Sequence, residues 1–187
     1  DGILWMATNG GGVFSYNPHT EKWLKTIDVE SGLSSNNVRS LLYDPDGFLW
    51  IATEDAGLNR KNLKSGEIKS ITASDGLYRN DLNSVSIDQE GRLWMSCNAG
   101  IFFVHKKAIE KFFAGNRERV ESMIFTERTG MKNRETNGGF QNAALRDADG
   151  NIWYPTQEGA VSLSPAKLPS NGSKLSLEIT EIRTGDS

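Results

Sequence analysis

The sequence contains a single cysteine, Cys97, and two histidines, His19 and His105, in 187 residues. One thiol excludes an internal disulfide framework. Two histidines in separate stretches, each after a candidate strand and without cysteine or carboxylates at ligand spacing, do not make a zinc site. No apolar run approaches the ~18 residues that would cross a bilayer as a helix. Charge of one sign is also missing: the formal net charge is −3, with no basic run. Nucleic acid and anionic membrane surfaces are therefore excluded as partners, and the chain could meet a membrane only through segments outside it. The chain opens without Met inside a turn sequence, so we expect a piece of something longer.

What the sequence has instead is a repeat. Asp44-Pro45-Asp46-Gly47-Phe48-Leu49-Trp50-Ile51-Ala52-Thr53 returns as Asp1-Gly2 through Thr8, as Glu90-Gly91 through Cys97, and as Asp149-Gly150 through Thr156. Trp5, Trp50, Trp94 and Trp153 stand 45, 44 and 59 residues apart. A period in the forties with one Trp-bearing strand per copy is the signature of a propeller blade. Strands such as Ile3-Leu4-Trp5-Met6-Ala7 are apolar throughout, as strands covered on both faces are. All four repeated Trp are accordingly expected in the core, whereas Trp23, on an outer strand, is the one suited to the surface. Asp-Gly between strands predicts two-residue hairpins with positive φ at both central positions.

The Gly-Leu pair of Ser31-Gly32-Leu33 recurs as Asp75-Gly76-Leu77 and Thr129-Gly130-Met131, each time opening a polar loop into the next first strand. Those first strands are expected at 38–43, 82–87 and 140–145. The long third spacing is explained by Lys106 to Ala114, where apolar positions 108, 109, 112 and 113 share a helical face. The expected fold is all-β, a partial propeller of about four blades, with this helix inserted in the third. By strand count the blades hold three, four, four and three strands, about half of all residues against ~20–25% in an average protein. Blades occupy 1–168, a linker 169–174, and 175–187 the first strand of a further domain.

The Asp-Gly-Leu pair, Ser34-Ser35-Asn36-Asn37-Val38, the Asp44–Thr53 run and Gly57-Leu58-Asn59-Arg60 together resemble the two-component regulator propeller repeat. Asn137 to Pro169 resembles the last blade of that family, and the tail from Leu175 the opening strand of its Ig-like triple-tyrosine domain. The resemblance implies an extracytoplasmic, periplasmic sensor on an inner-membrane receptor whose output is a histidine kinase, a hybrid kinase-regulator or a diguanylate cyclase. The fragment itself is then non-catalytic, with no cofactor.

Candidate site residues lie in the loops after each Gly-Leu pair, which a propeller gathers on one face. They are Asn36, Asn37, Arg39, Arg79, Asn80, Asp81, Asn83, Arg134, Glu135 and Asn137, polar groups suited to a small molecule or a glycan, although Asn and Asp also simply suit turns. Asp44-Pro45-Asp46-Gly47 and Asp147-Ala148-Asp149-Gly150-Asn151 invite a calcium reading, but their glycine comes too early for a calcium loop and lies where a hairpin turn belongs. Cys97 occupies a Thr position and reads as a small buried residue. Two other functions stay open: a lyase or polysaccharide hydrolase, which would need a convergent His or carboxylate set, and a scaffold for protein contacts. An arc of so few blades leaves apolar ends, Leu4, Met6, Ile152 and Tyr154 among them, so self-association is expected, most simply as a two-fold dimer.

Overall fold

A computed structural model describes residues 2–116, 118–139 and 143–168. Four antiparallel sheets follow one another along the chain. The first contains β1 (Leu4–Thr8), β2 (Gly12–Asn17) and β3 (Lys22–Trp23). The second contains β4 (Val38–Asp44), β5 (Phe48–Thr53), β6 (Leu58–Asn62) and β7 (Ile68–Ile71). The third contains β8 (Ser84–Ile87), β9 (Arg92–Cys97), β10 (Gly100–His105) and β11 (Met123–Phe125), with α1 (Lys106–Phe113) before its last strand. The fourth contains β12 (Leu145–Arg146), β13 (Ile152–Thr156) and β14 (Gly159–Leu163). Each sheet is a blade, hydrogen-bonded in chain order, and the partial propeller has the expected three, four, four and three strands. The expected linker at 169–174 and the strand from Leu175 lie outside the described residues, as do residues 140–142 of the last first strand.

Among the described residues strands cover less than the expected half, because outer strands break early. The stretch from Lys22 was expected to run to Ile27, yet β3 is two residues long, and only an isolated bridge from Val13 to Ile27 resumes the pairing.

The Asp-Gly turns also differ from expectation. Asp44 pairs with Phe48, so the loop has three residues, and Gly47 N–H donates to Asp44 O at 3.0 Å. Gly47 has φ 86°, whereas the preceding Asp46 keeps an ordinary negative φ. The cause is Asp44, whose Oδ1 accepts from Asp46 N at 3.1 Å and fixes a type I turn. Only the residue closing the loop then needs the left-handed region. Asp88 and Asp147 lead the same turns, with Gly91 and Gly150 donating back at 3.2 and 3.1 Å.

Those aspartates also hold the repeated tryptophans. Indole Nε1 donates to Oδ2 from Trp50 to Asp44 at 3.0 Å, from Trp94 to Asp88 at 2.8 Å, and from Trp153 to Asp147 at 2.8 Å. The core is therefore a series of layers between blades. Trp5, Val13 and Ile27 pack towards Leu49 and Ile51; Trp50 and Ala52 towards Leu93 and Met95; Trp94 and Phe103 towards Ile152 and Tyr154. Trp5, Trp50 and Trp94 each face the following blade, and the other faces of the second, third and fourth Trp strands meet the preceding one. Trp50 and Trp94 are fully buried, but Trp153 is 40% exposed and Trp5 only half-buried. The expectation that all four are core holds only where blades stand on both sides.

Helix α1 fastens the third blade to the second. Ile109 is buried, with Ala108, Phe112 and Phe113 against the same layer. Lys106 Nζ lies 2.6 Å from Asp44 Oδ2 and also pairs with Asp46. Lys69 Nζ donates to Phe113 O at 3.1 Å, and the Arg60 guanidinium sits 4.8 Å from the Phe113 ring and 4.4 Å from that of Phe48.

Candidate functional site

The Gly-Leu loops begin as single 3₁₀ turns over Val29–Ser31, Ala73–Asp75 and Glu127–Thr129, each closed by a reciprocal capping box. The glycine after each turn, Gly32, Gly76 or Gly130, has φ of 100°, 109° or 105°. The next residue, Leu33, Leu77 or Met131, is a buried plug, so Met131 does the work of the Leu it replaces.

The plug fixes where the polar loop starts, and several predicted residues serve the loop itself. Asn36 Oδ1 accepts from Val29 N at 3.0 Å, and Asn80 Oδ1 from Ala73 N at 2.7 Å. In the third loop the bond reverses: Arg134 N donates to Glu127 Oε1 at 3.2 Å. Asn37 forms a bridge to Asn9. Asn80→Ala should therefore lower stability by about 1 kcal/mol, the usual worth of such a bond, measurable by chemical denaturation.

Beyond these loops lies a polar cleft of about 360 Å³, lined from the second, third and fourth copies. It brings together the predicted Arg39, Asp81, Asn83, Glu135 and Asn137. Asn36, Asn37, Arg79, Asn80 and Arg134 do not line it, although Arg79 Nε pairs with Asp81 Oδ1 at 2.8 Å and so sets one wall. Arg39 is aimed by a β-bulge, since pairing with β5 jumps from Val38 to Ser40. Its guanidinium pairs with Glu54.

Glu54, Asn98, Thr136 and Gly138 complete the lining, and sequence reading did not single them out. The repeat held a signal for two of them. Asn9, Glu54, Asn98 and Gln157 each follow the Thr or Cys that ends the Trp strand, so that position is polar in every copy. Asn83 Nδ2 donates to Asn98 Oδ1 at 3.0 Å and to Thr136 O at 2.9 Å, and Thr136 Oγ1 donates to Cys97 O at 3.0 Å. A Cβ on Gly138 would overlap the Asn83 side chain, so only glycine lets this wall approach. The cleft thus offers amides and carboxylates held by a second tier of bonds, with three carboxylates to one guanidinium and no aromatic ring in its lining.

Among the described residues no group of three potential metal ligands comes together. The leading aspartates of the calcium reading, Asp44 and Asp147, are engaged within their own turns: Asp147 Oδ1 accepts from Asn151 N at 2.8 Å and Oδ2 from the Trp153 indole, as Asp44 accepts from Asp46 N and the Trp50 indole. They are turn residues, as their register indicated.

Cys97 Sγ reaches Gly100 O at 3.3 Å, where Thr8, Thr53 and Thr156 hydroxyls donate to Gly12, Gly57 and Gly159 at 2.8, 2.8 and 2.9 Å. Burial pushes its thiol up to about 11. It should resist a thiol reagent at neutral pH until the protein unfolds. Cys97→Thr should change stability by less than about 1 kcal/mol.

Comparison with known proteins places the repeat. Residues 32–55 match the model of the two component regulator propeller. The matched stretch spans the first Gly-Leu loop of the chain, β4, β5 and the first Trp-Asp pair seen above. Several solved structures share the arrangement. The extracellular domain of the hybrid two component system BT3049 from B. thetaiotaomicron is 22% identical, with TM-score 0.69 over 89% of this chain and 21% of its own. That of BT4673 from the same organism is 19% identical, with TM-score 0.65 over 95% and 23%. PorZ, a surface component of the type-IX secretion system of Porphyromonas gingivalis, is 15% identical, with TM-score 0.58 over 87% and 24%. The chain thus spans about a fifth to a quarter of these structures. No curated protein matches the sequence. No helix among the described residues is long and apolar enough to cross a membrane.

Proposed function

We propose that the chain is part of the extracytoplasmic sensor of a membrane-bound signalling receptor, non-catalytic in itself, and that the cleft beside Arg39 receives the ligand. The observation that carries this reading is the convergence of the two-component regulator propeller loops on one pre-formed polar cleft. A propeller makes such a site by repetition: the second and third copies contribute the residue after their Trp strands, Glu54 and Asn98, and each of the three Gly-Leu plugs is followed by a segment that reaches the lining. The ligand is a small hydrogen-bonding molecule, a carbohydrate being the leading class, held by amides and carboxylates rather than by ring stacking. The output is a kinase or cyclase domain elsewhere in the receptor.

A lyase or hydrolase reading is less well supported. His19 and His105 are not in the lining, Glu54 is engaged by Arg39, and Asp81 by Arg79.

The test is a thermal-shift screen of mono- and oligosaccharides on the chain, repeated on the triple variant Asn98→Ala, Glu135→Ala, Asn137→Ala. The variant should keep the parent melting temperature within a few degrees and lose every ligand-induced shift. Ligand shifts that survive unchanged would rule the cleft out, and turnover of a screened sugar would replace the sensor reading with an enzymatic one.

A further inference from the structure

The charges in the cleft do not balance. Its lining holds three carboxylates, Glu54, Asp81 and Glu135, against the single guanidinium of Arg39. Two of the carboxylates are matched, Glu54 by Arg39 and Asp81 by Arg79 Nε at 2.8 Å. Glu135 is not. The cations beside it in sequence turn elsewhere, Lys132 Nζ to Glu158 at 3.8 Å and Arg134 Nε to Glu127 at 3.6 Å. Among the described residues no cation pairs with the Glu135 carboxylate, on a residue half-buried in the cleft wall. Its backbone is nevertheless fixed on both sides. Glu135 N donates to Asn133 Oδ1 at 2.8 Å, and the buried Thr136 donates through Oγ1 to Cys97 O at 3.0 Å. Asn137 N then donates to Pro155 O at 2.9 Å. A carboxylate that is partly desolvated, held in place and left without a counter-ion gains by meeting a cation.

We propose, on the reading of the cleft as the ligand site, that its occupant is a sugar bearing a free amino group, protonated and seated on Glu135. The volume of about 360 Å³ suits a mono- or disaccharide. The amides of Asn98 and Asn137 offer the donors and acceptors that sugar hydroxyls need. With no aromatic ring in the lining to stack a neutral sugar, charge is the strongest handle the cleft has. An ammonium forms a charge-assisted bond, about twice as strong as the neutral one that a hydroxyl or an N-acetyl group could make there. An acidic sugar fits poorly. Arg39 is already paired with Glu54, and backbone closes on it, since a Cβ on Gly139 would stand 2.6 Å from Nη1. A ligand carboxylate would have to displace Glu54 and would then lie in the field of Asp81 and Glu135 as well.

Isothermal titration of the intact chain with three matched series tests this: glucosamine, galactosamine and mannosamine, each beside its neutral parent and its N-acetyl form. The best amino sugar should bind about tenfold or more tightly than both of its neutral counterparts, as a bond to a charged group implies. Glu135→Gln keeps the shape of the side chain and removes its charge. It should cancel that preference, leave the neutral sugars unchanged and keep the parent melting temperature. Glu67→Gln, the same change at an exposed position outside the cleft, should leave the preference intact. Equal affinities within every series overturn the proposal and leave the cleft as a neutral-sugar site. A preference that persists in Glu135→Gln also overturns it, because the amine then sits on another carboxylate. Amino-sugar binding that survives in the triple variant Asn98→Ala, Glu135→Ala, Asn137→Ala overturns the reading of the cleft itself. No binding in any series overturns the amino-sugar assignment and leaves the cleft to the other ligands of the thermal-shift screen.

Discussion

Trp50→Ala is expected to destabilise the protein by about 3–5 kcal/mol, measured by chemical denaturation, the usual cost of removing a large aromatic from a closed core. The indole is fully buried between the second and third blades, in the layer that contains Leu58, Leu93, Met95 and Phe102. No solvent lies beside it to fill the space, and each blade is fixed by its neighbours, so the cavity cannot simply collapse. The substitution also strips Asp44 of its indole donor at 3.0 Å while leaving that carboxylate buried against Lys106. Trp153→Ala is the internal control: it has the same repeat position and the same bond to aspartate, but lies on a face 40% exposed. Its cost should stay below about 1–2 kcal/mol. Equal losses at the two positions would mean that the layers between blades are not what holds the arc together.

That contrast shows what could be read from the residues alone. The period of the Trp strands gave the number of sheets and the strand count of each, because a repeat reports its own architecture. The helix from Lys106 was equally legible, from four apolar positions on one face. Burial was not, since a repeat treats its copies as equivalent, while burial depends on whether a neighbouring blade is present; hence Trp5 and Trp153 are more exposed than Trp50 and Trp94. Turn geometry was missed for a different reason: Asp-Gly alone is ambiguous, and the deciding group is the aspartate two residues earlier, which caps the turn and holds the indole.

The lining of the candidate cleft was half legible. Loop polarity led to Arg39, Asp81, Asn83, Glu135 and Asn137, all of which line the cleft. The same polarity led to Asn36 and Asn80, whose side chains close their own turns, because an amide looks the same in a sequence whichever backbone N–H it serves. Arg39 owes its aim to a bulge, and a one-residue shift in pairing leaves no mark in composition.

Asp88→Ala is expected to cost about 3–5 kcal/mol near pH 7, the range for removing one partner of a buried ion pair. Both side chains of the Asp88–Arg92 pair are 3% exposed, with Arg92 Nε 2.6 Å from Asp88 Oδ2. The same carboxylate accepts from Trp94 Nε1 at 2.8 Å and from the backbone N–H of Glu90 and Arg92, each at 2.9 Å. Removing it leaves a buried guanidinium with only the half-exposed Glu90 carboxylate, 3.4 Å from Nη1, as a charged partner, beside Pro165 O at 2.8 Å from Nη2 and the rings of Phe103 and Trp94. Arg92 also ties the third blade to the chain leaving the fourth, so the loss should reach both. Burial pushes the Asp88 carboxyl up, but the bonds from Trp94, from the Arg92 backbone and from its guanidinium outweigh it and hold the group below its ordinary value of 3.8. A carboxyl with a depressed folded-state pKa contributes stability that is complete above the unfolded value and is lost as pH falls through the folded one. The gap between wild type and Asp88→Ala should therefore be constant from neutral pH down to about 5, and narrow only below 3.8. Urea denaturation of both proteins across pH 7 to pH 2 measures that gap. A gap that closes between pH 7 and pH 5 would assign the stabilisation to some group other than this carboxylate, and a loss below about 1 kcal/mol at pH 7 would mean that Arg92 finds another partner when Asp88 is gone.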